Sequence, residues 1–365
     1  MSIRLWRHFD FSLLGATLLA MIFGVTMIAS AIAGNLTLLA ENLVMRQIIF
    51  GGMGLALVFV VAAIDYRLMA ALSRPLYAIM CLLLGAVAIV GLGSFGAVRW
   101  INTGLVNIQP SELAKILIII VLAAFLASHQ ENIGQLRWVL LSLAYVGVPV
   151  ALIFIQPDLS TALMLIVVWF AMIWAAGLRW KHIGLFTLAG LAAPVALWPL
   201  LANYQRARLI QFIFPSGNPD AQYNIDQSLI SIGSGGLFGQ GYRHGTQTQL
   251  RFLKVRHTDF IFSATAEEFG FVGSLLIILI IGFIVYRCLR AARLARDPFG
   301  ALMCYGVATL IFYQSAFNIG MNLNLLPVAG LPLPFISYGG SSLVTKLIGI
   351  GLVESVVMRQ KQLEF

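Results

Sequence analysis

The stretch Arg251-Phe-Leu-Lys254-Val-Arg256-His257-Thr258-Asp259-Phe-Ile-Phe262 closes a long polar segment crowded with cations and runs straight into an apolar one. Its one carboxylate, Asp259, sits at the seam. The apolar run that follows, near 260–286, exceeds the roughly 20 residues a helix needs to cross a bilayer. A polar segment feeding directly into a membrane helix marks a membrane protein, and the composition alone says the same. Only 10% of the 365 residues are charged and 60% are hydrophobic, with a mean hydropathy of +0.93. Soluble domains carry roughly 25% charged residues.

Hydropathy windows of roughly 19 residues predict about ten transmembrane helices in an all-α fold. They lie near 11–33, 46–64, 75–93, 112–127, 137–154, 160–176, 183–203, 260–286, 300–323 and 335–357. The run behind Arg4, Arg7 and His8 is long enough to span, so no cleavable signal peptide is expected. Lysine and arginine set the orientation. With the N-terminus inside, inner segments hold Arg67, Arg74, Arg137, Arg179, Lys181, Arg359 and the series Arg287, Arg290, Arg293 and Arg296. Short outer loops hold only Arg46 and Arg99. Both termini are therefore predicted to be cytoplasmic. The chain reads as one integral-membrane unit over 1–365, with a long outer segment at 204–259.

The formal charge of +9 does not indicate nucleic acid, because no soluble basic domain carries it. Cys81, Cys288 and Cys304 lie in or beside apolar segments without metal-ligand spacing. The outer segment breaks the charge rule. It holds Arg206, Arg208, Arg243, Arg251, Lys254 and Arg256 against Asp220, Asp226 and Asp259. Attraction to headgroups is one reading, worth only about 1 kcal/mol per cation. The sharper one is a site for a phosphorylated ligand on the outer face. Within this segment Asp226 to Gly233 reads as a short amphipathic helix with a capping acid and a glycine stop.

Ionisable residues at membrane depth are functional hypotheses by default. Glu112 and Lys115 share a helix face and can pair. Ser111 and Asp158 follow Gln-Pro pairs at two helix starts, where capping alone would explain them. Glu267 and Glu268 fall about 12 Å beyond Asp259 at 1.5 Å per residue, so at least one needs a buried partner. Lys346 is a candidate by depth. Asp259 itself could be a helix cap. The run Leu326 to Ser342, with three prolines, three glycines, Ser337 and Tyr338, predicts a broken entry lining a cavity.

Several of these motifs, in order, carry a resemblance: Gly96-Ala-Val-Arg99-Trp100, Gln109-Pro-Ser-Glu112-Leu-Ala-Lys115, Gln156-Pro-Asp158-Leu, Ser231-Ile-Gly-Ser-Gly-Gly-Leu-Phe-Gly239, His257-Thr-Asp259-Phe-Ile-Phe, Ala266-Glu-Glu268 and Pro332 through Ser342. The chain resembles the SEDS family (shape, elongation, division and sporulation), closest to its RodA branch. That resemblance implies a ten-helix fold and peptidoglycan glycosyltransferase activity on lipid II at the outer face of a bacterial cytoplasmic membrane. It also implies a class B penicillin-binding protein as partner, and it places the family's essential aspartate on Asp259. Inversion at the anomeric carbon needs one general base, and Asp259 is assigned to it. The cations of the outer segment form the pool for the pyrophosphate, and a divalent ion (Mg or Mn) could share that task. A lipid II flippase, or a scaffold for the penicillin-binding protein, are the rival readings.

Overall fold

The computed structural model describes residues 6–33, 42–90, 92–94, 97–102, 107–214 and 219–360. Each of the ten expected spans is met by a helix: α1 Phe11–Ala31, α2 Leu43–Ala63, α4 Ser73–Val90, α5 Pro110–Ser128, α6 Leu136–Ile155, α7 Leu159–Ala175, α8 Trp180–Leu197, α12 Ile261–Leu294, α13 Pro298–Asn322 and α14 Gly340–Val357. A short helix, α3 (Tyr66–Ala71), lies at the inner end between α2 and α4. Most of these helices are apolar all round, because in a bilayer both lipid and protein neighbours are apolar. α5, α13 and α14 are mostly buried and form the centre, while α2, α6 and the part of α12 beyond Gly270 leave most of their surface open to lipid. α14 packs on α2, and α12 packs on α13.

Two departures from the sequence expectation concern the outer side. A small antiparallel sheet, β1 (Leu92–Ser94), β2 (Ala97–Asn102) and β3 (Asn107–Ile108), joins α4 to α5. The backbone of Arg99 lies on β2, and its side chain falls outside the described residues. The segment 204–259 is largely helical: α9 (Asn203–Ile213), α10 (Pro219–Ser234) and α11 (Thr246–Gln249). Asp226 does not cap the expected short helix. It lies inside α10 and accepts from Gln222 Nε2 at 2.8 Å.

The outer segment also re-enters the bundle. α12 is broken at Gly270 (φ 66°, ψ −160°), which frees backbone groups at membrane depth that must be satisfied inside the protein. The glycine-rich turn after α10 supplies the partners. Phe271 N donates to Gly236 O (2.9 Å) and Val272 N to Leu237 O (3.1 Å). Gln240 N and Gly241 N donate to the Glu267 and Glu268 carbonyls (2.9 and 3.0 Å). Two backbones meet here at glycine distance. A Cβ on Gly239 (φ +83°) would lie 2.1 Å from Glu268 O, and one on Gly270 would lie 2.4 Å from Gly239 N.

The break also answers the two glutamates. Glu267 accepts from Gln247 N (2.7 Å), Thr248 N (3.0 Å) and Thr248 Oγ1 (2.6 Å), so its carboxylate caps α11. Glu268 accepts from the Ser30 hydroxyl on α1 and from Gln249 Nε2 at 3.4 Å. Neither is paired with Lys346.

Candidate functional site

Asp259 is the last residue but one before α12, at the outer end of the bundle. The capping reading fails: Phe260 is the N-cap of α12, and the Asp259 carboxylate accepts no amide of that helix, whose third amide, Ser263 N, is capped by Asn322 instead. What holds Asp259 is its backbone. Asn318 and Asn322, one turn apart on α13, each donate a side-chain N–H to the Asp259 carbonyl at 3.0 Å. Asn318 also donates to Leu331 O (2.8 Å), and Asn322 Oδ1 accepts from Ser263 N (3.2 Å) on the first turn of α12. The carbonyl oxygen of Asn322 accepts from Ser228 Oγ of α10 at 2.7 Å. The two asparagines thereby tie α10, the start of α12 and the chain at Leu331 to α13.

The irregular entry to α14 forms the facing wall, as its prolines and glycines predict. Between α13 and α14 the backbone takes positive φ at Asn324, Gly330 and Phe335. Ser337 locks this wall to the seam: Leu333 N donates to Ser337 Oγ (2.8 Å), which donates to Thr258 O (2.7 Å). Tyr338 N donates to His257 O at 2.9 Å, and Ser160 Oγ of α7 donates to Ala329 O at 2.7 Å. A Cβ on Gly330 would lie 3.7 Å from Asp259 Oδ2, so glycine leaves the carboxylate an open flank.

The Asp259 side chain receives no hydrogen bond from the described residues and stays partly accessible. Burial pushes its pKa up from 3.8 to about 6, and the Arg208 cation pulls the other way. Arg208, on α9, donates to Val328 O at 3.3 Å, which anchors its guanidinium over the wall beside Asp259. Arg256 is buried one turn before Asp259. Its Nε donates to Ala31 O and its Nη1 to Leu253 O (3.5 Å), while Nη2 has no hydrogen-bond partner among the described residues. Burial, with Arg251 beside it, lowers its pKa.

The other cations of the outer segment are engaged elsewhere. Arg206 donates to Trp198 O (3.1 Å) and Pro199 O (2.7 Å). Arg243 lies over the Tyr242 ring (5.4 Å) and Lys254 over Tyr223 (5.3 Å). Asp158 caps α7, accepting from Thr161 N (3.2 Å) and Thr161 Oγ1 (3.0 Å). Ser111 does not cap α5. The N-cap is Gln109, whose Nε2 donates to Ser111 Oγ at 3.0 Å.

Glu112 and Lys115 do pair, at 2.6 Å, and Lys346 of α14 completes the group at 3.8 Å from Glu112 Oε2. Lys346 Nζ also donates to the hydroxyl and the carbonyl of Ser342. This buried charge cluster ties α5 to α14. No three His, Cys, Asp or Glu side chains cluster as metal ligands among the described residues. A divalent ion at the seam would have Asp259 and substrate phosphates as ligands, the mixed set in which Mg is ordinarily held.

The comparisons bear on this geometry. The family model for FtsW, RodA and SpoVE, described as cell cycle protein, matches residues 11–362. The chain belongs to that family. Relatives come from its several branches. The peptidoglycan glycosyltransferase MrdB of Escherichia coli is 37% identical over 98% of this chain and 95% of its own length. The stage V sporulation protein E of Bacillus subtilis is 36% identical over 95% and 96%. Among solved structures, a chain from a peptidoglycan synthase complex that coordinates polymerization and crosslinking superposes with a TM-score of 0.82. It has 32% identity and covers 96% of this chain and 98% of that one. The rod shape determining protein RodA of Thermus thermophilus superposes at 0.71, with 30% identity over 97% and 98%. The family match therefore covers the whole bundle, including the seam and the cluster on α5 and α14.

Asn318, Asn322, Ser228, Ser263 and Ser160 escape sequence reading. They are short neutral side chains, four of them in apolar helices and Ser228 in the amphipathic α10, and only their convergence on the seam gives them a role. The Asn318–Asn322 spacing, one turn on a spanning helix, is the single signal that could have flagged them.

Proposed function

We propose that this chain is a peptidoglycan glycosyltransferase that polymerises lipid II at the outer face of the bacterial cytoplasmic membrane and releases undecaprenyl diphosphate. The observation that carries the reading is Asp259: an outward, partly accessible carboxylate with no hydrogen bond of its own, on a backbone held by two asparagines. Such a group is free to accept a proton, and a pKa near 6 suits a base at neutral pH.

In the proposed step a hydroxyl oxygen of the acceptor sugar forms a bond to the anomeric carbon of the donor. The bond from that carbon to the phosphate oxygen breaks, and the lipid diphosphate leaves with the electron pair. The hydroxyl proton passes to Asp259. Single displacement inverts the anomeric centre, as in inverting glycosidases with one base and one in-line attack. Negative charge grows on the leaving diphosphate, where preorganised cations are most effective. Arg208 and Arg256 are the residues of choice, since one lies beside Asp259 and the other has a buried donor unused. Arg206, Arg243 and Lys254 have carbonyl or ring partners and are assigned to holding the outer segment in shape. Transpeptidation is left to a class B penicillin-binding protein in complex with this chain.

The test is polymerisation of purified lipid II by the chain with its penicillin-binding partner. Asp259→Asn should give no glycan strands while still copurifying with that partner. Wild-type polymer from Asp259→Asn would overturn the assignment, and lipid movement across liposomes without polymer would point to a flippase.

A further inference from the structure

At the inner end of the bundle, far from the seam, a cleft of about 300 Å³ opens between the start of α1 and the ends of α12 and α14. At about 30 Å³ per water, it has room for some ten waters, enough for a phosphate and its glycerol. Arg7, His8, Arg287 and Arg290 line it, against one carboxylate, Asp10.

That carboxylate is already in use. Asp10 Oδ1 accepts from Leu13 N (3.0 Å) as the N-cap of α1, and Oδ2 accepts from Arg287 Nε (2.7 Å) and Nη2. Asp10 N donates to Glu354 Oε2 at 2.9 Å, which fixes the α1 start against α14. Among the described residues, Arg7 and Arg290 form no ion pair. The positive-inside bias explains cations on inner loops. It does not require two of them, 283 positions apart in sequence, to line one walled cleft held together by an Asp10–Arg287–Glu354 clamp. The mouth is amphipathic as well, with Ser12 lining the cleft and the Phe11 ring 68% exposed beside it. Cations within and an aromatic ring at the edge match a phosphate anion presented on acyl chains.

We propose that this inner cleft binds the phosphate of an anionic phospholipid of the inner leaflet, with Arg7 and Arg290 as its charge partners. Full-length protein in neutral detergent would be titrated with phosphatidylglycerol, phosphatidylcholine and glycerol 1-phosphate, and bound lipid read by native mass spectrometry. Phosphatidylglycerol should be retained in preference to phosphatidylcholine, and glycerol 1-phosphate should not displace it at equal concentration. Arg7→Gln with Arg290→Gln should weaken phosphatidylglycerol retention about thirtyfold, the equivalent of about 1 kcal/mol for each cation. Arg290→Gln alone should weaken it about fivefold, which covers the case of a misfolded double variant. Arg293→Gln, on an exposed cation outside the cleft, should leave it unchanged. Equal retention of the two lipids, wild-type retention by the double variant, or equal binding of glycerol 1-phosphate would overturn the proposal.

Discussion

Removing the charge of Asp259 should abolish activity and at the same time make the fold more stable. The pKa of Asp259 rises from 3.8 to about 6 because burial disfavours its ionised form. The folded protein then binds this proton more tightly than the unfolded chain does. Stability therefore falls as pH rises through 3.8 and on through about 6, and the full penalty is present above that. At 1.36 kcal/mol for each pH unit between the two values, the cost at pH 7.5 is about 3 kcal/mol. Partial access to solvent makes that an upper value. Asp259→Asn keeps the shape and the backbone contacts of Asn318 and Asn322 but carries no charge to strand. It should gain up to about 3 kcal/mol over wild type at pH 7.5 and nothing below pH 4.

Unfolding of both proteins in mixed micelles, monitored by tryptophan fluorescence at pH 4, 6 and 7.5, measures the gap directly. Polymerisation assays over the same range supply the second readout. Wild-type rate should climb as pH rises through about 6 and then level, because the base works unprotonated. A stability gap between wild type and Asp259→Asn that does not change with pH, or a wild-type rate as high at pH 5 as at pH 7.5, would refute the reasoning.

Other consequences follow from the contacts around the seam. Asn322→Ala strands the Ser263 N–H, at about 1–3 kcal/mol, and leaves the Asp259 carbonyl held by Asn318 alone. It should lower the polymerisation rate more than it lowers lipid II binding, as measured by separate turnover and binding assays. Gly239→Val drives side-chain atoms into the Glu268 carbonyl at the break in α12 and puts a β-branched residue at positive φ. A cost above about 2 kcal/mol should appear as aggregation on size-exclusion chromatography. Glu112→Gln leaves Lys115 and Lys346 buried without their counter-charge, at about 3–5 kcal/mol. Adding Lys346→Met should recover part of the loss in a detergent melt.

Hydropathy carried the ten spans because they are set by bulk transfer energies that a sequence displays directly. The outer side was legible only in outline. Its cation surplus, the broken entry to α14 and Asp259 are visible as types of residue out of place. The break in α12 at Gly270 is not, because one glycine in an apolar run looks like any other until Gly236 to Gly241 is known to lie against it. The partner of Lys346 was misread for a related reason: depth in the membrane gives height along a helix and leaves the facing helix unspecified. Glu112 and Glu267 lie at depths that both suit Lys346, and packing of α14 on α5 decided between them.

That packing also separates chemistry from architecture among the acids. Asp158 accepts from Thr161 at the start of its own helix, Glu267 and Glu268 accept from α11 and α1, and Glu112 accepts from Lys115 and pairs across to Lys346 of α14. In each case the bond fixes a helix start or joins two helices, so the charge is spent on shape. Asp259 inverts the arrangement. Its backbone is the anchored part, through Asn318 and Asn322, and its carboxylate is left with only the field of Arg208 and an open flank at Gly330. A carboxylate kept in a partly buried site without a hydrogen bond destabilises the fold, and nothing in the packing is gained by keeping it there. The same bareness leaves its lone pairs available to an incoming hydroxyl, which is what a general base requires.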